Sequence, residues 1–460
     1  SLVQCEYQQN VKVNERLTKS LEFRFSWNIG RRKFCRAAIE PLGRADSAPM
    51  MAVMNLDTDI AIIGGGLNGT ALALALGSIG LRVTVFDASP RETRSDDIFD
   101  GRATAIAAGS RNMLRTLGVW DRLEEDIQPI HDILVTDGRV SEGAGTSFLH
   151  FDHREVGDEP FGYLVENRHI RRALFAAMDE TESIEHRYPV RVAGLDRDTS
   201  CASLRLEDET VTATLAIACD GRDSPTAKAA GIRYTGWQYP QKGVVCTVEH
   251  EEPHGGVAHE YFLPSGPFAI LPLTGNRSSL VWTEKTAFAE AAMALDDAGF
   301  EAEVARRFGQ FLGEVKVTGP RWSYPLSLSL AYEYSAHRLA VVGDAAHGVH
   351  PIAGQGLNLG FKDAAALTQV IAEAARRGED FGSHDVLKRY ERWRRFDNTA
   401  MGLGMDAINR LFSNDLTPVR ALRGVGLNLV NRMGPARRFF MRQAAGLSGE
   451  LPKLLQGKAI

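Results

Sequence analysis

Cysteine is scarce in this chain, and what there is forms no recognisable pair. The five cysteines among 460 residues, Cys5, Cys35, Cys201, Cys219 and Cys246, contain no C-x-x-C and are odd in number. That excludes a disulfide framework and the redox pair a disulfide reductase needs, and it fits a reducing, cytoplasmic setting. No apolar run approaches the ~18 residues of a membrane-spanning helix. Neither sign of charge dominates: the net charge is −5, which argues against a general nucleic-acid binder. Internal repeats and low-complexity tracts are also missing. What remains is an ordinary globular composition, 44% hydrophobic and 24% charged, with length for two or three domains and a large core.

Glycine, by contrast, is abundant and falls at telling places. The stretch Gly343-Asp344-Ala345-Ala346-His347-Gly348-Val349-His350-Pro351-Ile352-Ala353-Gly354-Gln355-Gly356-Leu357-Asn358-Leu359-Gly360 follows a strand-like run, 339–342, and precedes a helical run, 361–375. An acid at a strand end accepts from sugar-type hydroxyls. Glycines let a backbone approach a flat ligand, and a helix N-terminus offers free N–H groups and partial positive charge. That equipment suits a flavin whose reduced ring is anionic; the alternative is a tight connection with glycines only for turning. Near the start of the chain, Asp59-Ile60-Ala61-Ile62-Ile63 leads into Gly64-x-Gly66-x-x-Gly69 and a helix-forming run, 70–78. A second strand, 82–86, ends in Asp87, eighteen residues after Gly69. This is the dinucleotide fingerprint with its ribose-binding acid, and the acid favours FAD or NAD over NADP.

A third strand end, 211–218, enters Cys219-Asp220-Gly221, which places Asp220 beside the same crevice or makes it a helix cap and turn. Arg102 either pairs with a phosphate, lies near the flavin ring, or is a solvated surface charge. His347 and His350 lack further ligands at metal spacing, so no metal is expected.

The expected fold is α/β: a Rossmann-like FAD-binding domain from discontinuous segments, an inserted β-rich substrate domain and a helical C-terminus. The expected boundaries are a leader over 1–54, FAD-binding segments over 55–130, 161–231 and 332–385, a substrate-side segment over 131–160, the β-rich domain over 232–331 and the helical region over 386–460. The 136–160 stretch reads as a loop-rich, Gly-rich section. Short strands are expected at 242–249, 259–263, 268–273 and 278–283, with helices over 287–311. The leader has nine Lys/Arg against five Asp/Glu, too acidic for a transit peptide. Residues 401–460 have nine Lys/Arg against three Asp/Glu, interleaved with Phe412, Leu416, Val419, Leu422, Val425, Leu427, Leu429, Phe439 and Phe440. Such a basic amphipathic end suits the anionic inner face of a membrane, or a helical cap with a solvated basic face.

The three glycine motifs in this order resemble the class A flavoprotein aromatic monooxygenases, the para-hydroxybenzoate hydroxylase superfamily. Gly101-Arg102-Ala103-Thr104-Ala105, Leu117-Gly118-Val119-Trp120, Tyr163-Leu164-Val165-Glu166-Asn167-Arg168, the run 262–273 and Tyr390-Glu391-Arg392-Trp393-Arg394-Arg395 make the chain more similar still to the UbiH/VisC family of ubiquinone-biosynthesis hydroxylases. The resemblance spans about residues 57–415. It implies FAD reduced by NADH or NADPH, O2 taken up as a flavin C4a-hydroperoxide, and hydroxylation of a polyprenylated phenol or quinol. It also implies a place in a biosynthetic complex or a homo-oligomer. By resemblance, Gly64, Gly66, Gly69 and Asp87 hold the ADP part, and Asp220 lies near the pyrophosphate and the nicotinamide's approach. Gly343 and Asp344 take the ribityl or pyrophosphate side, with Asp344 expected to be buried. Pro351, Gly354, Gln355, Gly356, Leu357 and Asn358 line the flavin ring. The family's Asp-Gly motif usually continues with Ser, an apolar residue and Arg. Here Pro225-Thr226-Ala227-Lys228 follows Ser224, so the cation is Lys228 or absent. Two other readings stay open: a soluble hydroxylase of small phenols or polyketide-like rings, and a non-catalytic flavin-binding subunit.

Overall fold

The computed structural model describes residues 56–91, 101–138, 140, 148–155, 157–414, 423, 426, 430, 431 and 433–460. The expected leader and most of the apolar residues between 416 and 429 lie outside them. The first sheet grows from runs apolar on both faces, as strands covered on two sides require. Its central strands are Thr58–Ile63 and Thr210–Ala218, parallel and in register from Thr58 opposite Ala213 to Ile63 opposite Ala218. Val83–Phe86 and Ile184–Arg187 extend it in parallel on one side, and Leu339–Val341 on the other. The Ala/Leu-rich helix Leu67–Gly77 and the long helix Gly356–Arg376 pack beside it, and their small side chains bring the backbones close.

The second sheet has eight strands and is almost wholly antiparallel. Tyr234–His250 and Val315–Ala331, seventeen residues each, pair along their length from Tyr234 opposite Ala331 to His250 opposite Val315. Arg277–Lys285, Gly266–Leu273 and Val257–Leu263 follow in order. Asp132–Asp137 and Phe148–Asp152 complete that side. A small third sheet joins Ala103–Ala107, Gly162–Glu166 and Gln128–Ile130. The helices His384–Phe412 and Gly434–Ala444 close the chain's helical end.

The fold is therefore the expected α/β assembly, with local corrections. Within the loop-rich 136–160 stretch, Phe148–Asp152 forms a strand of the second sheet that the sequence did not single out. Val315–Ala331 is a strand that the expected pattern omits. The helix after the glycine loop begins at Gly356, five residues earlier than its apolar run suggests.

Candidate functional site

The paired strands ending at Ile63 and Ala218 release Gly64 and Cys219 side by side, at the carboxyl edge where open α/β sheets bind ligands. Gly64 has φ +110°, and a side chain there would overlap the Cys219 carbonyl. A side chain on Gly69 would overlap the Gly64 carbonyl, so these two glycines serve close approach. Gly66 is different: nothing lies within 4 Å of where its Cβ would be, and it begins the Leu67–Gly77 helix without a side-chain cap. Asp87 is buried behind this loop. Its Oδ1 accepts the Ser89 N–H at 2.9 Å, and its Oδ2 would lie 2.6 Å from a Cβ on Gly65.

On the opposite side, Gly343 turns at φ +66° and donates its N–H to Asp363 Oδ2 at 3.2 Å. Asn68 reaches across from the first loop so closely that Gly343 and Gly360 have no room for side chains. Pro351, Gly354, Gln355, Gly356 and Leu357 line one cavity with Gly66, Leu67, Asn68, Arg102, Arg222 and Asp344. The Gly356–Arg376 helix starts there without a side-chain cap, and Gly356 is as open as Gly66. Gln355 Nε2 donates to the Ala444 carbonyl at 3.3 Å. Asn358 is not on the cavity surface. Its Oδ1 accepts the Ala107 N–H at 2.9 Å, and its Nδ2 donates to the Ala105 carbonyl at 2.8 Å and the Gly354 carbonyl at 3.3 Å, latching the loop to the third sheet.

Asp220 takes up the turn that was one of its two readings, and Asp344 departs from expectation. Asp220 Oδ2 accepts the Thr226 N–H at 3.1 Å, as a turn would have it, while Oδ1 is buried with no hydrogen-bond partner among the described residues. Asp344 is not buried: its side chain is 42% exposed and stands 4.0 Å from Arg222. Lys228 does not face the crevice but pairs with Asp223 at 3.0 Å. Arg222, which the motif comparison passed over, is the cation that lines the cavity beside Asp344. It also donates to Ser327 Oγ at 3.2 Å.

A buried polar network holds the glycine loop from below, and it joins residues of separate motifs to which the sequence assigned no shared role. Asp363 accepts from Arg394 Nε at 2.8 Å and Asn398 Nδ2 at 2.9 Å, and its other oxygen meets His347 Nε2 at 2.5 Å. Burial alone would raise the Asp363 carboxyl, but His347 and Arg394 hold it down at about 2. His350 accepts the Ile352 N–H through Nδ1 at 3.3 Å, and burial pushes its imidazole down to about 4. Among the described residues no group of three or more His, Cys, Asp or Glu is placed to hold a metal.

The cavity measures about 1600 Å3, beyond the roughly 300–1,000 Å3 of a pocket for one small ligand. One half is polar backbone. The other half is apolar, walled by Ile133, Val135, Phe262, Ala269 and Phe412 among others. Two uncapped helix N-termini, two open glycine cradles and the orphaned buried oxygens of Asn68 and Asp220 fit FAD in the first half.

Comparison with known proteins agrees. Residues 57–401 match the FAD binding domain family. The chain is 45% identical over 415 residues to ubiquinone hydroxylase UbiL of Rhodospirillum rubrum, covering 89% of this chain and 95% of that one. It is 37% identical to 3-demethoxyubiquinol 3-hydroxylase of Escherichia coli, covering 85% and 100%. In structure it is similar to p-nitrophenol 4-monooxygenase PnpA of Pseudomonas putida, with a TM-score of 0.71 at 19% identity, covering 85% and 98%, which is a likeness of fold.

Proposed function

Because this chain belongs to the FAD-dependent hydroxylases of ubiquinone biosynthesis, we propose that it hydroxylates the aromatic ring of a polyprenylated phenol, with NADH or NADPH as reductant and O2 as oxygen source. One atom of O2 enters the ring as a hydroxyl, the other leaves as water, and the nicotinamide gives up the hydride that balances the two. When bound, FAD supplies the electron transfer and the activation of O2.

The protein's own residues bind, orient and exclude water. Gly64, Gly66 and Gly69 bring the first helix N-terminus to the pyrophosphate, and Asp87 accepts from the ribose. Asp220 and Asp344 accept on the pyrophosphate and ribityl side, while Arg222 and Arg102 offset phosphate or ring charge. Pro351 and Gly354 shape the loop, the backbone of Gln355, Gly356 and Leu357 presents N–H groups to the ring, and Asn358 fixes that backbone. The apolar half keeps water from the reacting atoms.

The observation that carries this reading is the continuity of one cavity from the glycine cradles to an apolar chamber large enough for a prenylated ring. A peripheral membrane position is supported at its rim. Phe439 and Phe440 are 62% and 43% exposed beside the exposed Arg438 and Arg442, a pairing suited to an anionic lipid surface. Among the described residues no helix is long and apolar enough to cross a membrane.

The test is the absorption spectrum of the purified protein, followed by anaerobic titration with NADH and NADPH, with and without a prenylated phenol. A flavin spectrum that bleaches faster with the phenol present is the expected result. Flavin that neither nucleotide reduces would turn the reading toward a non-catalytic subunit. Reduction stimulated only by small, tail-free phenols would turn it toward a soluble hydroxylase.

A further inference from the structure

The chamber wall built from the second sheet carries one carboxyl group with nothing to bind. Along Val257–Leu263, Ala258, Glu260 and Phe262 line the cavity, His259 borders it while its ring packs against Phe311, and Tyr261 packs against Phe268. The residues in register with Glu260 on the neighbouring strands are Val135 and Ala269, both of them lining residues. Among the described residues the Glu260 side chain makes no hydrogen bond or ion pair. The cavity's other charged side chains, Arg102, Arg222, Asp344, Asp397 and Arg423, stand on other elements.

A half-buried carboxyl group set into an apolar wall is partly withdrawn from water and has gained no partner from the described residues. Native structures rarely tolerate this without a compensating hydrogen bond. A ligand oxygen supplies one. Burial pushes the Glu260 carboxyl up to about 8, with no neighbouring charge contributing, so near neutral pH it can both donate and accept. Its place along the strand suits a ring. Phe262 stacks on Phe412 with centroids 4.1 Å apart and shares an apolar cluster with Ile352 of the glycine loop. Glu260 sits two residues further along, about 7 Å at the usual strand rise. Beyond it, Ala258 leaves the wall open.

We propose that Glu260 anchors the substrate's aromatic ring by hydrogen-bonding an oxygen substituent, and so selects which ring carbon faces the glycine loop. This rests on the prenylated-phenol reading and deepens it.

The test titrates the FAD-loaded enzyme in detergent with two probes, following the flavin spectrum. The probes are 2-geranylphenol and geranylbenzene, which differ only by the hydroxyl. Wild type is expected to bind the phenol at least about tenfold more tightly, the worth of one buried hydrogen bond. E260L, whose side chain matches the apolar wall, is expected to bind both alike at unchanged flavin content, and E260A repeats the test with less bulk. E260Q, still a donor and acceptor, is expected to keep most of the preference. Equal affinity of wild type for the two probes, or an undiminished preference in E260L and E260A, would overturn the anchor. If wild type holds neither probe, the prenylated-phenol reading itself falls and the anchor with it.

Discussion

Gly64 and Gly66 stand two residues apart in one loop and answer to different demands. Gly64 combines a left-handed φ with contact against the Cys219 carbonyl, so Gly64→Ala should destabilise the fold by at least about 2 kcal/mol, read from urea unfolding. Gly66 has extended backbone and open space. Gly66→Ala should change stability by less than about 1 kcal/mol while weakening FAD binding, since the added methyl enters the cradle. A variant that loses stability but binds FAD normally would contradict that division.

Two ionisable side chains tilt stability with pH in opposite senses. His350 titrates at about 4 in the fold against an ordinary 6.5, so the unfolded chain binds more protons between those values. Stability is lost as pH falls through that window, by an amount of order 3 kcal/mol. Glu260 is raised from 4.5 to about 8, so the folded chain holds the extra proton and stability is lost as pH rises from 4.5 to 8. His350→Asn, which keeps an acceptor for the Ile352 N–H, should flatten the acid limb of an unfolding free-energy profile. Glu260→Gln should flatten the alkaline limb; unchanged limbs would refute either assignment.

At the scale of elements, the Gly356–Arg376 helix is aimed by side chains that lie below the loop it begins. Asp363 ties it to Gly343, His347, Arg394 and Asn398. Asp363→Ala would leave the Arg394 guanidinium buried, keeping only its Asp397 and Asn398 bonds. The expected loss is about 3–5 kcal/mol, seen as a lowered Tm and flavin shed on gel filtration. Sequence reading found the two glycine turns because each is written in adjacent residues. It quoted Arg394 only within a family motif and gave neither Arg394 nor Asp363 a role, because their meeting depends on two helices packing side by side. It also missed Val315–Ala331, because Gly319-Pro320-Arg321 and Tyr324-Pro325 read as breakers. In the sheet those residues fall at two register irregularities, between Val245 and Thr247 and between Gln238 and Lys242, where a ladder accommodates proline and a left-handed glycine.

For the whole molecule, the two halves of the cavity differ in how far they can be read from sequence. The cofactor half comes from a few short motifs. The apolar half is assembled from side chains as distant as Ile133, Phe262, Phe412 and Phe440, and only the folded chain brings them together. If its rim meets lipid, replacing Phe439 and Phe440 with serine should cut sedimentation with anionic vesicles about tenfold or more. Turnover of a short-tailed phenol in detergent should be spared. Equal vesicle binding by the double variant would place the membrane contact elsewhere.

The paired strands Tyr234–His250 and Val315–Ala331 carry a mechanical consequence. Their ladder runs from Ser329 and Leu330, bonded to His347 and Gly348 at the root of the glycine loop, out to His250 and Val315 at the far tip. Such a ladder behaves as a girder: bending it between cofactor and chamber would break many backbone bonds together. The sheet wall and the glycine loop therefore ride as one rigid frame. Any widening that admits a bulky guest has to be borne by the thinner, helical side, where Gly434–Ala444 meets the frame through Gln355, the Arg437–Glu155 ion pair and a few apolar contacts.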